Sequence, residues 1–125
     1  MLGFGKKQPE DGPIPGQLRE VTDETELFAT LEVGPAVIYK HSDRCGLCRR
    51  SLRELEKFAA GSPAVPVLKV DVVGSRALSD EIADRLEVHH ESPQAIVVND
   101  GDVVWSGSHR AVTASRIAEA LAEPG

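Results

Sequence analysis

Cysteine is scarce in this chain, with two in 125 residues, so no disulfide framework holds the fold together. There is no second cysteine pair, and zinc usually needs four ligands. His41, His89, His90 and His109 are the only nitrogen candidates, and they lack the spacing of a zinc finger. No metal is therefore expected. Long apolar runs are missing too, since no segment approaches the roughly 18 residues of a membrane span. Lys6 and Lys7 are not followed by the apolar core of a signal peptide. The net charge is −6 with both signs interspersed, and the Lys and Arg clustering of a nucleic-acid or membrane surface is absent. No internal repeat is visible. These absences leave one domain large enough to build a core without staples. It is expected to be cytoplasmic, with no nucleic-acid or membrane partner. The stretch Met1 to Gly16 holds Gly3, Gly5, Pro9, Gly12, Pro13, Pro15 and Gly16 and reads as a flexible leader, leaving residues 17–125 as the domain.

The two cysteines that are present lie together, as Cys45-Gly46-Leu47-Cys48, where a short apolar strand gives way to an amphipathic helix. Sulfurs three residues apart can close a small disulfide ring across one helical turn. In the reduced state the first sulfur lies over the unpaired N–H groups of the helix N-terminus, which favour its thiolate. Cys45 is thus the expected nucleophile. Cys48, one turn further in, is the expected resolving thiol, attacking a mixed disulfide formed at Cys45. Arg44, Arg49 and Arg50 add positive charge around the pair, and Asp43 opposes them. Arg44, Gly46 and Leu47 are expected to touch the substrate.

The pattern of elements reads as follows. Gln17 to Val21 suits a short edge strand, and Thr22 an N-cap for a helix over Asp23 to Glu32. Ala36 to Lys40 is a β-rich run, and a helix extends from Gly46 to about Ala60 with Leu52, Leu55, Phe58 and Ala59 on one face. Val65 to Val73 reads as a central strand, and Ser75 or Ser79 caps a helix over Arg76 to Leu86. Gln94 to Val98 and Asp102 to Trp105 form a hairpin through Asn99-Asp100-Gly101, and Thr113 caps a last helix over Ala114 to Ala122. Trp105 is assigned to hairpin packing. The order βαβαβαββα is that of α/β thioredoxin-like folds, with a central mixed sheet of four to five strands flanked by helices. The scaffold alone does not settle function.

Ser92-Pro93 precedes the hairpin, where thioredoxin-like proteins place a cis-proline facing the redox pair. A cis bond there would turn the Ser92 backbone outward, toward an extended partner lying across Cys45. Lys40, His41 and His90, with His89, are further candidates for neighbours of the thiolate. Lys69 and Asp71 read either as a water-linked pair behind the cysteines or as strand-end charges.

Longer strings point to a family. Lys40-His41-Ser42-x-Arg44-Cys45, Leu78-Ser79-x-x-Ile82-Ala83, Val88-x-His90-Glu91-Ser92-Pro93-Gln94-Ala95 and Gly101-x-Val103-Val104-Trp105-x-x-Ser108-His109-x-x-Val112-Thr113 resemble the monothiol bacilliredoxin family of the YtxJ type, from about Pro35 to Leu121. The resemblance implies removal of bacillithiol, a low-molecular-weight thiol acting as co-substrate, from mixed disulfides on cytosolic proteins, with no bound cofactor. It places the attacking cysteine at Cys45 and the cis-proline at Pro93. Family members commonly carry Cys-Pro-Ile-Ser, whereas this chain has Gly46 in the second place and Cys48 in the fourth. A second thiol would allow internal resolution of the adduct, or direct reduction of protein disulfides in the manner of thioredoxin or glutaredoxin. A non-catalytic redox-sensing adaptor is the alternative from another class.

Overall fold

The computed structural model describes residues 14–122, so most of the expected leader, together with residues 123–125, lies outside the described residues. The elements follow in the order β1 (Leu18–Glu20), α1 (Glu24–Leu31), β2 (Pro35–His41), α2 (Gly46–Gly61), β3 (Val67–Asp71), α3 (Arg76–Leu86), β4 (Gln94–Asn99), β5 (Asp102–Ser108), a 3-10 turn (His109–Ala111) and α4 (Ala114–Ala122).

Local chemistry sets most of the boundaries. Asp23, not Thr22, caps α1, because its carboxylate accepts the Glu26 N–H at 2.9 Å. β3 is shorter than its apolar run. Pro66 has no N–H to give, and at the other end the Asp71 carboxylate captures the Val73 N–H at 3.0 Å and turns the chain. Asp71 is therefore a strand-end turn residue. Ser75 rather than Ser79 stands at the start of α3. The hairpin turns through Asp100 and Gly101, both at positive φ, as a two-residue loop between right-twisted strands requires. Thr113 Oγ1 accepts the Arg116 N–H at 3.2 Å and caps α4.

The five strands form one sheet in the order β1-β3-β2-β4-β5. β1 and β2 both pair parallel with β3, while β4 runs antiparallel to β2 and β5 antiparallel to β4. The crossover through α3 thus returns the chain antiparallel to β3, and not as another parallel βαβ unit. β5 extends past Trp105 to Ser108, with a bulge opposite Val97/Val98.

Period-2 alternation divides the core in two. On one face Ala36 and Ile38 of β2 pack with Leu68, Val70, Leu27, Leu31, Leu78 and Ile82 beneath α1 and α3. On the other, Val37 and Tyr39 pack with Leu55, Phe58, Val97 and Ile117 beneath α2 and α4, with Trp105 against this cluster. Tyr39 and His41 consequently point toward α2, and Lys40 points toward α3.

Candidate active site

α2 begins at Gly46, immediately after β2 and a four-residue turn, so Cys45 stands at its N-cap. Both thiols are free, Cys45 partly exposed and Cys48 fully buried. The first turn of α2 carries no acidic side chain to offset the positive end of the helix. Cys45 makes no closed capping hydrogen bond, but its sulfur lies against donors. The Cys48 thiol, foremost, and the N–H groups of Cys48 and Leu47 hold its pKa below the ordinary thiol value. Cys48 is displaced the other way, chiefly because burial disfavours its charged form, with the Ser42 backbone and the Ser92 hydroxyl opposing. One dithiol therefore contains an accessible sulfur that ionises easily and a shielded one that does so late.

The residues around the pair come from three places. Ser92 Oγ lies 3.8 Å from Cys48 Sγ, and the Ser92–Pro93 peptide is cis. The Pro93 carbonyl accepts the His109 N–H at 2.9 Å, which extends the β4/β5 pairing up to the thiols. Beneath Cys48, the Tyr39 hydroxyl donates to the Cys48 carbonyl at 3.0 Å and lies 2.8 Å from His41 Nδ1. His41 Nε2 is in turn 2.8 Å from Asp43 Oδ1. A continuous chain of polar contacts thus runs from exposed Asp43 to the backbone of the buried cysteine. Burial, and then the negative charge of the two sulfurs, raises the Tyr39 pKa far above its ordinary value, so the hydroxyl remains a donor.

Lys40 and His90 occupy a different position from the one expected of thiolate neighbours. Lys40 Nζ donates to the Ser79 carbonyl at 3.0 Å and to His90 Nδ1 at 3.1 Å, on the α3 face of the sheet. The cause is the one-residue alternation along β2, which sends Lys40 to the side opposite Tyr39 and His41. Burial lowers the Lys40 pKa from 10.5 to about 8. Burial and then the Lys40 charge lower that of His90. This triad ties α3 to the loop that leads into Pro93.

Beside Cys45 a depression of ≈ 490 Å³ is lined by His41, Ser42, Asp43, Arg44, Gly46, Arg49 and Leu52. Leu47 is partly buried and is not among the residues that line it. An apolar groove of ≈ 320 Å³, lined by Ile14, Pro15, Pro63 and Val65 among others, lies at the opposite end of the sheet, where β3 begins. Among the described residues no three His, Cys, Asp or Glu side chains gather in a way that could hold a metal ion. No described helix is long and apolar enough to cross a membrane.

Comparison with known proteins places this arrangement. The family described as Monothiol bacilliredoxin BrxC matches residues 16–117. The chain belongs to the monothiol bacilliredoxin family. Among solved structures, a protein assigned as an oxidoreductase with a thioredoxin fold is 27% identical, with a TM-score of 0.78, covering 84% of this chain and 94% of that one. Thioredoxin from Trypanosoma brucei brucei (19% identical, TM-score 0.70, 86% and 90% covered) shares the fold. So does oxidised mitochondrial thioredoxin 3 from Saccharomyces cerevisiae (22% identical, TM-score 0.67, 83% and 92% covered). The fold is thioredoxin-like, and this bacilliredoxin is a thiol-disulfide oxidoreductase.

Sequence reasoning about this bacilliredoxin missed Tyr39 and Ser79. Strand alternation would have directed Tyr39 to the α2 face. Ser79 read as a possible helix cap, and no local signal marks its carbonyl as the anchor of a lysine 39 positions away.

Proposed function

We propose that this bacilliredoxin removes bacillithiol from mixed disulfides on cytosolic proteins, with Cys45 as nucleophile and Cys48 as an optional resolving thiol. What supports the reading is the asymmetry of the pair: Cys45 is accessible and inclined to ionise, and Cys48 is buried one turn behind it and is not. The Cys45 thiolate attacks the bacillithiol sulfur. The new S–S bond forms as the old one breaks, and the substrate cysteine leaves as thiolate. An external thiol can release bacillithiol from Cys45. Alternatively Cys48 loses its proton to solvent and attacks Cys45 Sγ, which frees bacillithiol and leaves a Cys45–Cys48 disulfide for a later reductant. Ser92 and Pro93 orient the protein partner. Among the described residues the Ser92 backbone N–H and C=O have no hydrogen-bond partner, so they can pair with an extended chain. No metal or bound organic cofactor enters the cycle. The cytoplasm, which keeps thiols reduced, suits it.

A second reading, dithiol reduction of protein disulfides, is favoured by the free thiol of Cys48 directly behind Cys45. The test follows release of bacillithiol or glutathione from a carrier protein by wild type, Cys45→Ala and Cys48→Ala. Release of bacillithiol alone, lost in Cys45→Ala and kept in Cys48→Ala, is the expected result for a monothiol cycle. A requirement for both cysteines, or faster reduction of insulin-like disulfides than of either adduct, replaces it with the dithiol reductase. Oxidation without repeated turnover marks an adaptor.

A further inference from the structure

Arginine pairing is divided by the sheet. On the α1 and α3 face Arg19 pairs with Glu26, Arg76 with Asp80, and Arg85 with Glu24 and Glu81. On the opposite face Arg44, Arg49, Arg50 and Arg53, like Arg110 and Arg116, have no ion-pair or side-chain hydrogen-bond partner among the described residues. Four of these guanidinium groups fall within ten positions at the start of α2, in a chain whose net charge is −6. Two of them, Arg44 and Arg49, line the depression that opens beside Cys45. One carboxylate, that of Asp43, also lines it, with Oδ1 held 2.8 Å from His41 Nε2, so two guanidinium groups face one acidic side chain there. Ser92 and Pro93 are not among its lining residues, so the depression and the Pro93 loop border the thiols separately.

From this geometry we infer that the depression is the seat of the small-thiol half of the mixed disulfide, and that Arg44 and Arg49 select a thiol bearing carboxylates. The inference rests on the mixed-disulfide reading above and adds the ligand chemistry to it. Arginine suits the task because its planar fork matches a carboxylate in two parallel hydrogen bonds. Unpaired guanidinium groups in a field otherwise negative also steer an anion toward this end of the molecule. Seating the small thiol here brings its sulfur to Cys45, while the protein half lies toward Ser92. The bond then formed joins Cys45 to the small thiol, the bond broken is the original disulfide, and the electron pair leaves on the protein cysteine.

The test uses a single-cysteine carrier protein loaded with mercaptosuccinate (two carboxylates), 2-mercaptoethanol (neutral) or cysteamine (cationic). Release of the carrier thiol is measured as kcat/KM in the full-length protein. Wild type is expected to favour the mercaptosuccinate adduct over the cysteamine adduct by roughly tenfold or more, the worth of one charge-assisted contact. Raising the salt concentration should compress that ratio. Arg44→Glu combined with Arg49→Glu should invert it, which a merely structural role for the arginines would not do. A ratio near one in wild type, or one unmoved by the double charge reversal, overturns the inference while leaving thiol removal intact. Failure of wild type to release any of the three adducts overturns the mixed-disulfide reading and this inference with it.

Discussion

Lys40→Met removes a buried ammonium and keeps an unbranched side chain of similar length. Wild-type Lys40 is fully buried, with Nζ held by the Ser79 carbonyl and His90 Nδ1. Its pKa falls from 10.5 in the free side chain to about 8 in the fold. Below pH 8 the lysine is charged in both states, and the folded state bears the full cost of desolvating it. Between about pH 8 and 10.5 the unfolded chain keeps a proton that the folded chain has lost, so wild-type stability rises with pH across that window. At 1.36 kcal/mol per pH unit the interval amounts to at most roughly 3 kcal/mol, and nearer 2 once solvent reaching the site along exposed His90 is allowed for. Lys40→Met should therefore be as stable as wild type or more so at pH 7, and its advantage should shrink by about 2 to 3 kcal/mol by pH 10.5. Urea unfolding of both proteins at several pH values, reduced throughout, measures the difference, in which the shared titration of the thiols cancels. Parallel stability curves, or a lead that grows with pH, would refute the assignment of Lys40 as a desolvated cation.

Other substitutions test separate parts of the structure. Leu55→Ala, at a fully buried α2 position, should cost about 2–5 kcal/mol in chemical denaturation, and a loss below about 1 kcal/mol would contradict the packing of α2 on the sheet. Asp23→Ala should cost about 1 kcal/mol through loss of the α1 cap, with Asp23→Asn recovering most of it. In reduced native protein, iodoacetamide should modify Cys45 before Cys48, at a rate that falls only as the pH drops through a value below that of an ordinary thiol. Mass spectrometry of the modified peptide distinguishes the two sites, and prior modification of Cys48 would reverse the roles assigned here.

The site was legible wherever its chemistry is local. Cys45-Gly46-Leu47-Cys48 follows a β-rich run and opens an amphipathic helix, and both periodicities are properties of adjacent residues. Asp100-Gly101 specified the hairpin for the same reason, since the turn depends on backbone freedom at two positions. The sequence by itself thus determined the order of elements, the helix N-terminus at Cys45 and the family strings around Pro93. Only the tertiary structure decided that β4 runs antiparallel to β2, because strand direction depends on where the loop after α3 re-enters the sheet. It also decided that Lys40 and His90 join each other beneath α3 while Tyr39 and His41 support the thiols. Those partnerships join residues from separate elements. They are set by which face of β2 each side chain occupies and by what the sheet then brings opposite it, and no window of sequence contains both.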